Sequence, residues 1–272
     1  MASKSFNVGV IGYGEGGKRS LSAKVFHIPF IATTPQLRLH SIVQRSPRDG
    51  NSAPQDHPSA KHYTDAKQLL SDGEVDVVVV TTPPDTHFAL TKAALETGKH
   101  VLTEKPFVPT AAEAEQLMAA ARQSGRLVCV YQNRRWDADF LLVRHLVASG
   151  AVGRVVELDS HFDRYRAAPP PAGGWKEDQL KAGVKPTAAG FGREDPGRMR
   201  LVRVADDGAI REEKVPDLEP ETYRAFYAAF ARALETGREE DLPVKASEAR
   251  DVLRIIEAVV ESAKTGRDVV FS

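Results

Sequence analysis

The sequence predicts an α/β fold: a doubly wound parallel sheet over the first half, followed by a reduced α+β domain with an open sheet. Three observations carry this reading. Short apolar runs alternate with helix-patterned stretches from Phe6 to Tyr131, a glycine-rich turn follows the first run, and the second half loses that rhythm. Alternation of strand and helix requires right-handed crossovers, and so a parallel sheet with helices on both faces.

The strands come first. Phe6-Asn-Val-Gly-Val-Ile11 is an apolar run that ends in glycines, and Leu37 to Val43 is a second. Asp76-Val-Val-Val-Val-Thr81 is the clearest, bounded by an acidic start and by Thr-Thr-Pro-Pro. His100 to Thr103 and Leu127 to Tyr131 complete the series. Runs that are apolar at successive positions fit strands buried on both faces. Between them, Thr86 to Thr97 carries Phe88, Leu90, Ala94 and Leu95 and stops at Gly98. Thr110 to Ser124 opens with Thr110 and Glu113 at capping-box spacing and stops at Gly125.

In the second half, Asp137 to Ser149 reads as a helix and Gly153 to Phe162 alternates like a strand. Residues 167–197 are turn-rich. Arg198 to Val204 and Ala209 to Val215 read as a hairpin. Two helices close the chain, one with Tyr223, Phe226, Tyr227, Phe230 and Leu234 and one with Val252, Ile255, Ile256, Val259 and Ala263. Both stripes have helical spacing and are expected to pack into the core.

Composition bounds the function. The 272 residues hold 37 Lys+Arg against 37 Asp+Glu, a balance without the basic excess of a nucleic-acid binder. No apolar run approaches the roughly 20 residues that span a bilayer, so no membrane partner is expected. The N-terminus lacks the apolar core of a signal peptide. A single cysteine, Cys129, excludes an internal disulfide framework and a multi-cysteine metal site; a reducing, cytoplasmic setting is expected, with no metal.

Gly12, Gly14 and Gly17 match G-x-G-x-x-G directly after a strand. There the backbone must turn sharply and approach a pyrophosphate closely, which is the chemistry of a Rossmann dinucleotide site. The expected division is therefore a dinucleotide-binding Rossmann domain over 1–131 and a shortened substrate and dimerisation domain over 132–272. Gly12 to Lys18 also fits the opening of a P-loop, but Arg19 stands where Ser or Thr must reach magnesium. At the end of the second strand, Val43-Gln-Arg-Ser-Pro47 has no carboxylate to accept from the ribose hydroxyls of NAD. Arg45 instead offers a planar fork to a 2′-phosphate and Ser46 a hydroxyl, so NADP is expected, with NAD as the alternative.

Thr81-Thr-Pro-Pro-Asp-Thr-His87, Glu104-Lys-Pro106 and Tyr131-Gln-Asn-Arg-Arg-Trp136 fall in order at successive strand ends. With Gly-Tyr-Gly and Ser22-Ala-Lys-Val-Phe-His-Ile-Pro29, they resemble the Gfo/Idh/MocA family, the glucose–fructose oxidoreductase and inositol dehydrogenase group. The resemblance implies an NAD(P)-dependent oxidoreductase that acts on CH–OH groups of a small-molecule substrate such as a sugar or polyol, and a homodimer through the C-terminal sheet. It implies that Lys105 touches the nicotinamide ribose and the reacting hydroxyl, where an ammonium stabilises a developing alkoxide. Glu104 would orient the ribose or Lys105, and His87 would stand near the cofactor. Tyr13, Ala23, Thr82, Pro83 and Asn133 join the cofactor set, with Ala23 as an alternative third position to Gly17. Pro106 restricts the backbone, at a bond type where cis peptides occur.

The chain departs from the family pattern twice. Glu15-Gly-Gly-Lys-Arg-Ser20 is interposed in the glycine turn, and the helix bearing Asp-x-Gly-x-His-x-x-Asp, whose histidine accepts the proton, is absent. No histidine follows His161, which with Asp163 is the nearest substitute on a strand. Three readings stay open: an active oxidoreductase using Lys105 and His161, a non-catalytic nucleotide-binding or regulatory protein, and a truncated product with impaired activity.

Overall fold

A computed structural model describes residues 5–14, 22–161, 200–205, 207–213 and 223–271. Six parallel strands form one sheet: β1 (Phe6–Ile11), β2 (Leu37–Val43), β3 (Lys61–Tyr63), β4 (Val77–Val80), β5 (His100–Thr103) and β6 (Val128–Val130), in the order β3-β2-β1-β4-β5-β6. The order reverses between β1 and β4, which pair in register from Val8↔Val77 to Ile11↔Val80. All four valines of β4 are buried, because the strand has neighbours on both sides and helices on both faces.

Helices cover both faces of the sheet, several of them in stretches the sequence reading leaves unassigned. A π-type turn, Ser22–His27, runs into α1 (Ile28–Thr33). Short α2 (Ala53–Asp56) and α3 (Ala66–Leu70) follow, then α4 (His87–Glu96), α5 (Ala111–Ser124) and α6 (Ala138–Ala148). Leu69 of α3 packs so closely over β1 that a Cβ on Gly9 would lie 2.8 Å from its Cδ1, so a larger residue there would have to displace the leucine. At the start of α5, Thr110 Oγ1 accepts from the Glu113 amide, and Gly125 closes the helix in the left-handed region at φ 64°.

Among the described residues of the second half, one predicted element is present as a sheet and one is not. β7 (Leu201–Val204) and β8 (Ile210–Glu213) form the expected antiparallel hairpin, a two-stranded sheet. Residues 154–161, read from sequence as a strand, belong to no strand and are exposed. Alternation alone does not make a strand. It needs a neighbouring edge to pair with, and among the described residues no strand takes that place.

The last two helices, α7 (Tyr223–Thr236) and α8 (Ala246–Thr265), share one continuous apolar core with the parallel sheet. The α7 stripe of Tyr223, Phe226, Tyr227, Phe230 and Leu234 is buried as expected. The α8 stripe is not: Val252, Ile255, Ile256 and Val259 are 41–62% exposed. Its opposite, small-residue face of Ala246, Ala249, Leu253 and Ala258 is buried instead. Small side chains let α8 approach α5 closely, and Glu257 Oε1 there accepts from the Ala111 amide at 2.8 Å. Just before α8, Lys245 bridges to Cys129 alongside β6. The Cys129 thiol is fully buried and pushed up to about 12 by that burial, so it is a packing group.

An ionic cluster ties the loop before β4 to β2 and β3. Asp72 accepts from the Glu74 amide at 2.9 Å and from Tyr63 Oη at 2.9 Å, and lies 2.9 Å from His40 Nε2 and 3.4 Å from Lys61 Nζ. Burial alone would raise its carboxyl, but these bonds outweigh it and hold the group well below the usual 3.8. A depressed carboxyl contributes its stability in full above that ordinary value and loses it as pH falls through the folded value. Asp72→Asn is therefore expected to flatten the loss of stability below about pH 5, measured by urea midpoints from there down to about pH 2. An acid limb as steep as that of the unaltered chain would assign the effect to other carboxylates.

Candidate cofactor site

The sequence brings β1, β4 and β5 side by side, so the residues after each strand gather at one edge. Gly12 turns with φ +109°, a region that side-chain-bearing residues rarely adopt. A Cβ there would lie 2.9 Å from Thr81 Oγ1 and 3.0 Å from Thr82 Cγ2. Thr81 Oγ1 lies within donating reach of Ile11 O at 3.0 Å and Gly12 O at 2.7 Å, which fixes the two strand ends together.

Behind the turn stands Gln44, buried at the end of β2. Its amide donates to Asn51 O at 2.8 Å and Gly14 O at 3.3 Å, while its Oε1 accepts from the Ala53 amide at 2.7 Å. Asn51 Nδ2 also donates to Gly14 O at 2.7 Å. The glycine turn is thus held through the Gly14 carbonyl, and a crevice opens beside it.

That crevice measures about 650 Å³ and is lined by Gly12, Tyr13 and Gly14, by Gln44 and Arg45, by Thr64 and Asp65, and by Thr81, Thr82 and Pro83. It lies at the reversal of strand order, where open parallel sheets hold ligands. A glycine cradle that any Cβ would fill, beside a basic strand end, fits a dinucleotide.

The predicted site residues fall into three groups. Gly12, Tyr13, Gly14, Arg45, Thr82 and Pro83 line the crevice. The Tyr13 ring is nonetheless buried, its hydroxyl donating to Asp56 Oδ2 at 2.7 Å; burial first, then Asp56, holds it well above the usual tyrosine range. Lys105 and Ser46 are exposed at the ends of β5 and β2, whereas Glu104, Ala23 and Asn133 are buried. Lys105–Pro106 is a cis peptide. Gly17 and Asp163 lie outside the described residues, and His161 stands exposed on the irregular stretch after α6 rather than on a strand.

His87 is fully buried at the start of α4. Its Nε2 lies 2.9 Å from Thr82 O and its Nδ1 2.8 Å from Pro106 O. The ring joins the turn after β4 to the segment after Lys105. Sequence reading missed Gln44, Asn51, Asp65 and Thr81; Gln44 and Thr81 stand in quoted motifs, but nothing local shows which distant carbonyls they serve.

Comparison with known proteins identifies the family. The profile "Oxidoreductase family, NAD-binding Rossmann fold" matches residues 6–132. Its companion, "Oxidoreductase family, C-terminal alpha/beta domain", matches residues 176–271. The chain belongs to the Gfo/Idh/MocA family. It is 44% identical over 164 residues to "Uncharacterized oxidoreductase YdgJ" of Escherichia coli, a match covering 60% of this chain and 45% of that protein. The chain thus spans under half the length of YdgJ and of a fission-yeast oxidoreductase, C115.03. It is also 26% identical to "scyllo-inositol 2-dehydrogenase (NADP(+)) IolW" of Bacillus subtilis, over 98% of this chain and 96% of that one. That alignment runs over 358 positions against 272 residues here, so it opens gaps on this chain's side. The YvaA structure from Bacillus subtilis superposes with a TM-score of 0.79 at 25% identity, covering 99% of this chain and 100% of that one.

The His87 geometry separates two roles. A clamp predicts that His87→Ala, which removes the ring from between the Thr82 and Pro106 carbonyls, lowers stability by roughly 1–3 kcal/mol. A shift of the urea midpoint at unchanged slope would read this. A cofactor ligand would instead lose nucleotide affinity with the midpoint unmoved.

Proposed function

We propose that the chain is an NADP-dependent oxidoreductase acting on a small hydroxy or carbonyl compound of the sugar or polyol class. The observation that carries this is the pairing, on one crevice, of the Gly12–Gly14 turn with Arg45 at the end of β2. IolW, an NADP(+) enzyme by name, supports the same cofactor. Gly12, Tyr13 and Gly14 offer backbone to the pyrophosphate, Arg45 and Ser46 take the 2′-phosphate, and Thr82 and Pro83 wall the crevice toward the nicotinamide side. When bound, the nicotinamide supplies or accepts the hydride.

Lys105, exposed at the end of β5, reaches the nicotinamide ribose, holds the proton of the reacting oxygen and stabilises negative charge on it. His161 is the remaining imidazole for proton transfer, and it is carried by no helix or strand. The gaps against IolW show this chain to be the shorter of the two, and the lack of any histidine after His161 supports a shortened second domain, over 132–272, without the usual proton-accepting histidine. Binding and turnover should therefore separate. A positioned general base contributes about 10²–10⁴-fold, so the chain is expected to bind NADPH yet turn over slowly.

Two measurements test this. Fluorescence titration should give tighter binding of NADPH than NADH, and Arg45→Ala should weaken NADPH about tenfold while leaving NADH nearly unchanged. Equal losses for both would remove Arg45 from 2′-phosphate recognition. Rates over a panel of sugars and polyols should be low, and lower still in Lys105→Met. Full-speed turnover that His161→Ala leaves untouched would show that Lys105 suffices.

A further inference from the structure

The residue before Lys105 is held by a buried polar chain that begins on the C-terminal helix α7. Tyr227 of that helix is fully buried, and its hydroxyl lies 2.6 Å from His27 Nδ1. His27, equally buried at the end of the π-type turn, places Nε2 3.1 Å from Glu104 Oε1. Glu104 Oε2 accepts from the Lys105 amide at 3.0 Å. Its own amide donates to Val80 O at 3.0 Å, so the carboxylate stands where β5 leaves β4.

One proton arrangement satisfies every group. A carboxylate only accepts, so His27 donates from Nε2 and keeps a lone pair on Nδ1. The Tyr227 hydroxyl then donates to Nδ1. Burial, with Tyr131 and Glu104 nearby, holds that hydroxyl protonated far above the usual range. Aromatic packing backs both rings: Tyr227 stacks on Phe30 with centroids 5.7 Å apart, and the Tyr131 centroid lies 4.4 Å from that of His27.

Stability does not account for this chain. Taking a carboxylate and an imidazole out of water is costly, and apolar residues of the same shape would fill the space as well. What such residues could not do is grip the Lys105 peptide. We infer that Tyr227 and His27 are positioning residues: with Glu104 they form a relay through which helix α7 sets the backbone of Lys105. The inference rests on the proposed role of Lys105 at the nicotinamide end, and its test separates the two.

The relay acts at that end only. Tyr227→Phe, which removes one oxygen, should weaken NADPH about threefold to tenfold, while 2′-phospho-ADP-ribose, lacking the nicotinamide, binds as before. In a Lys105→Met background the same substitution should have no further effect on NADPH. Equal weakening of both ligands would mean general loosening of the fold and would overturn the relay, as would an undiminished effect in the Lys105→Met background. Should the unaltered chain bind neither ligand, the nucleotide reading itself falls and the relay loses its purpose with it. The ¹⁵N spectrum of His27 in the unaltered protein gives a second readout that needs no variant. The Nε2-protonated tautomer is expected, and an Nδ1-protonated ring would overturn the proposal.

Discussion

The end of β1 and the end of β4 approach so closely that no side chain fits between them. Gly12 is a glycine because Thr81 and Thr82 occupy the space of its Cβ, and because the chain must turn there with positive φ. The rest of the nucleotide domain follows from that approach. Four valines in register with β1 keep β4 straight and central, Thr81 fastens the two ends, and Gln44 braces the turn from behind. Only then does an open crevice stand at the reversal of strand order, with Arg45 on its rim.

Much of this was legible in the sequence. A strand buried on both faces must be apolar at successive positions, so β1, β2, β4, β5 and β6 announce themselves. The edge strand β3 does not, because Lys61-His-Tyr63 pairs on one side only and carries no apolar run. The opposite error occurred at 154–161, where alternation was present and a partner strand was not. On α8, periodicity pointed to the branched stripe from Val252 to Val259, yet the small-residue face is the buried one, because it packs nearer α5. Gly12, Gly14 and Arg45 were named from their places after strands and line the crevice, whereas the backbone partners of Gln44, Asn51 and His87 lie far from them in sequence or carry no local signal.

The two halves of the chain are joined chemically as well as by packing, with Tyr227 Oη 2.6 Å from His27 Nδ1 and Glu257 Oε1 accepting from the Ala111 amide. Tyr223 of α7 donates to Asp137 Oδ1 at 2.9 Å, and Asp137 also holds Arg134 beside the turn after β6. Tyr131 Oη donates to Phe26 O at 2.9 Å. The aromatic stripe of α7 is therefore a scaffold for polar groups around the ends of β5 and β6. This explains why that stripe holds tyrosines at positions where phenylalanine would be buried with less loss of hydration.

The bridge between Lys245 and Cys129 lies along the outer side of β6, where the sheet would otherwise end in open backbone. Open strand edges recruit other strands. A chain cut before α7 would lose that cover and uncover the protein's single cysteine at the same place. Such a fragment would face two routes to insoluble material at once, edge-to-edge strand addition and intermolecular oxidation. The intact C-terminal segment thus acts as a guard against aggregation for a domain that leaves the ribosome well before it.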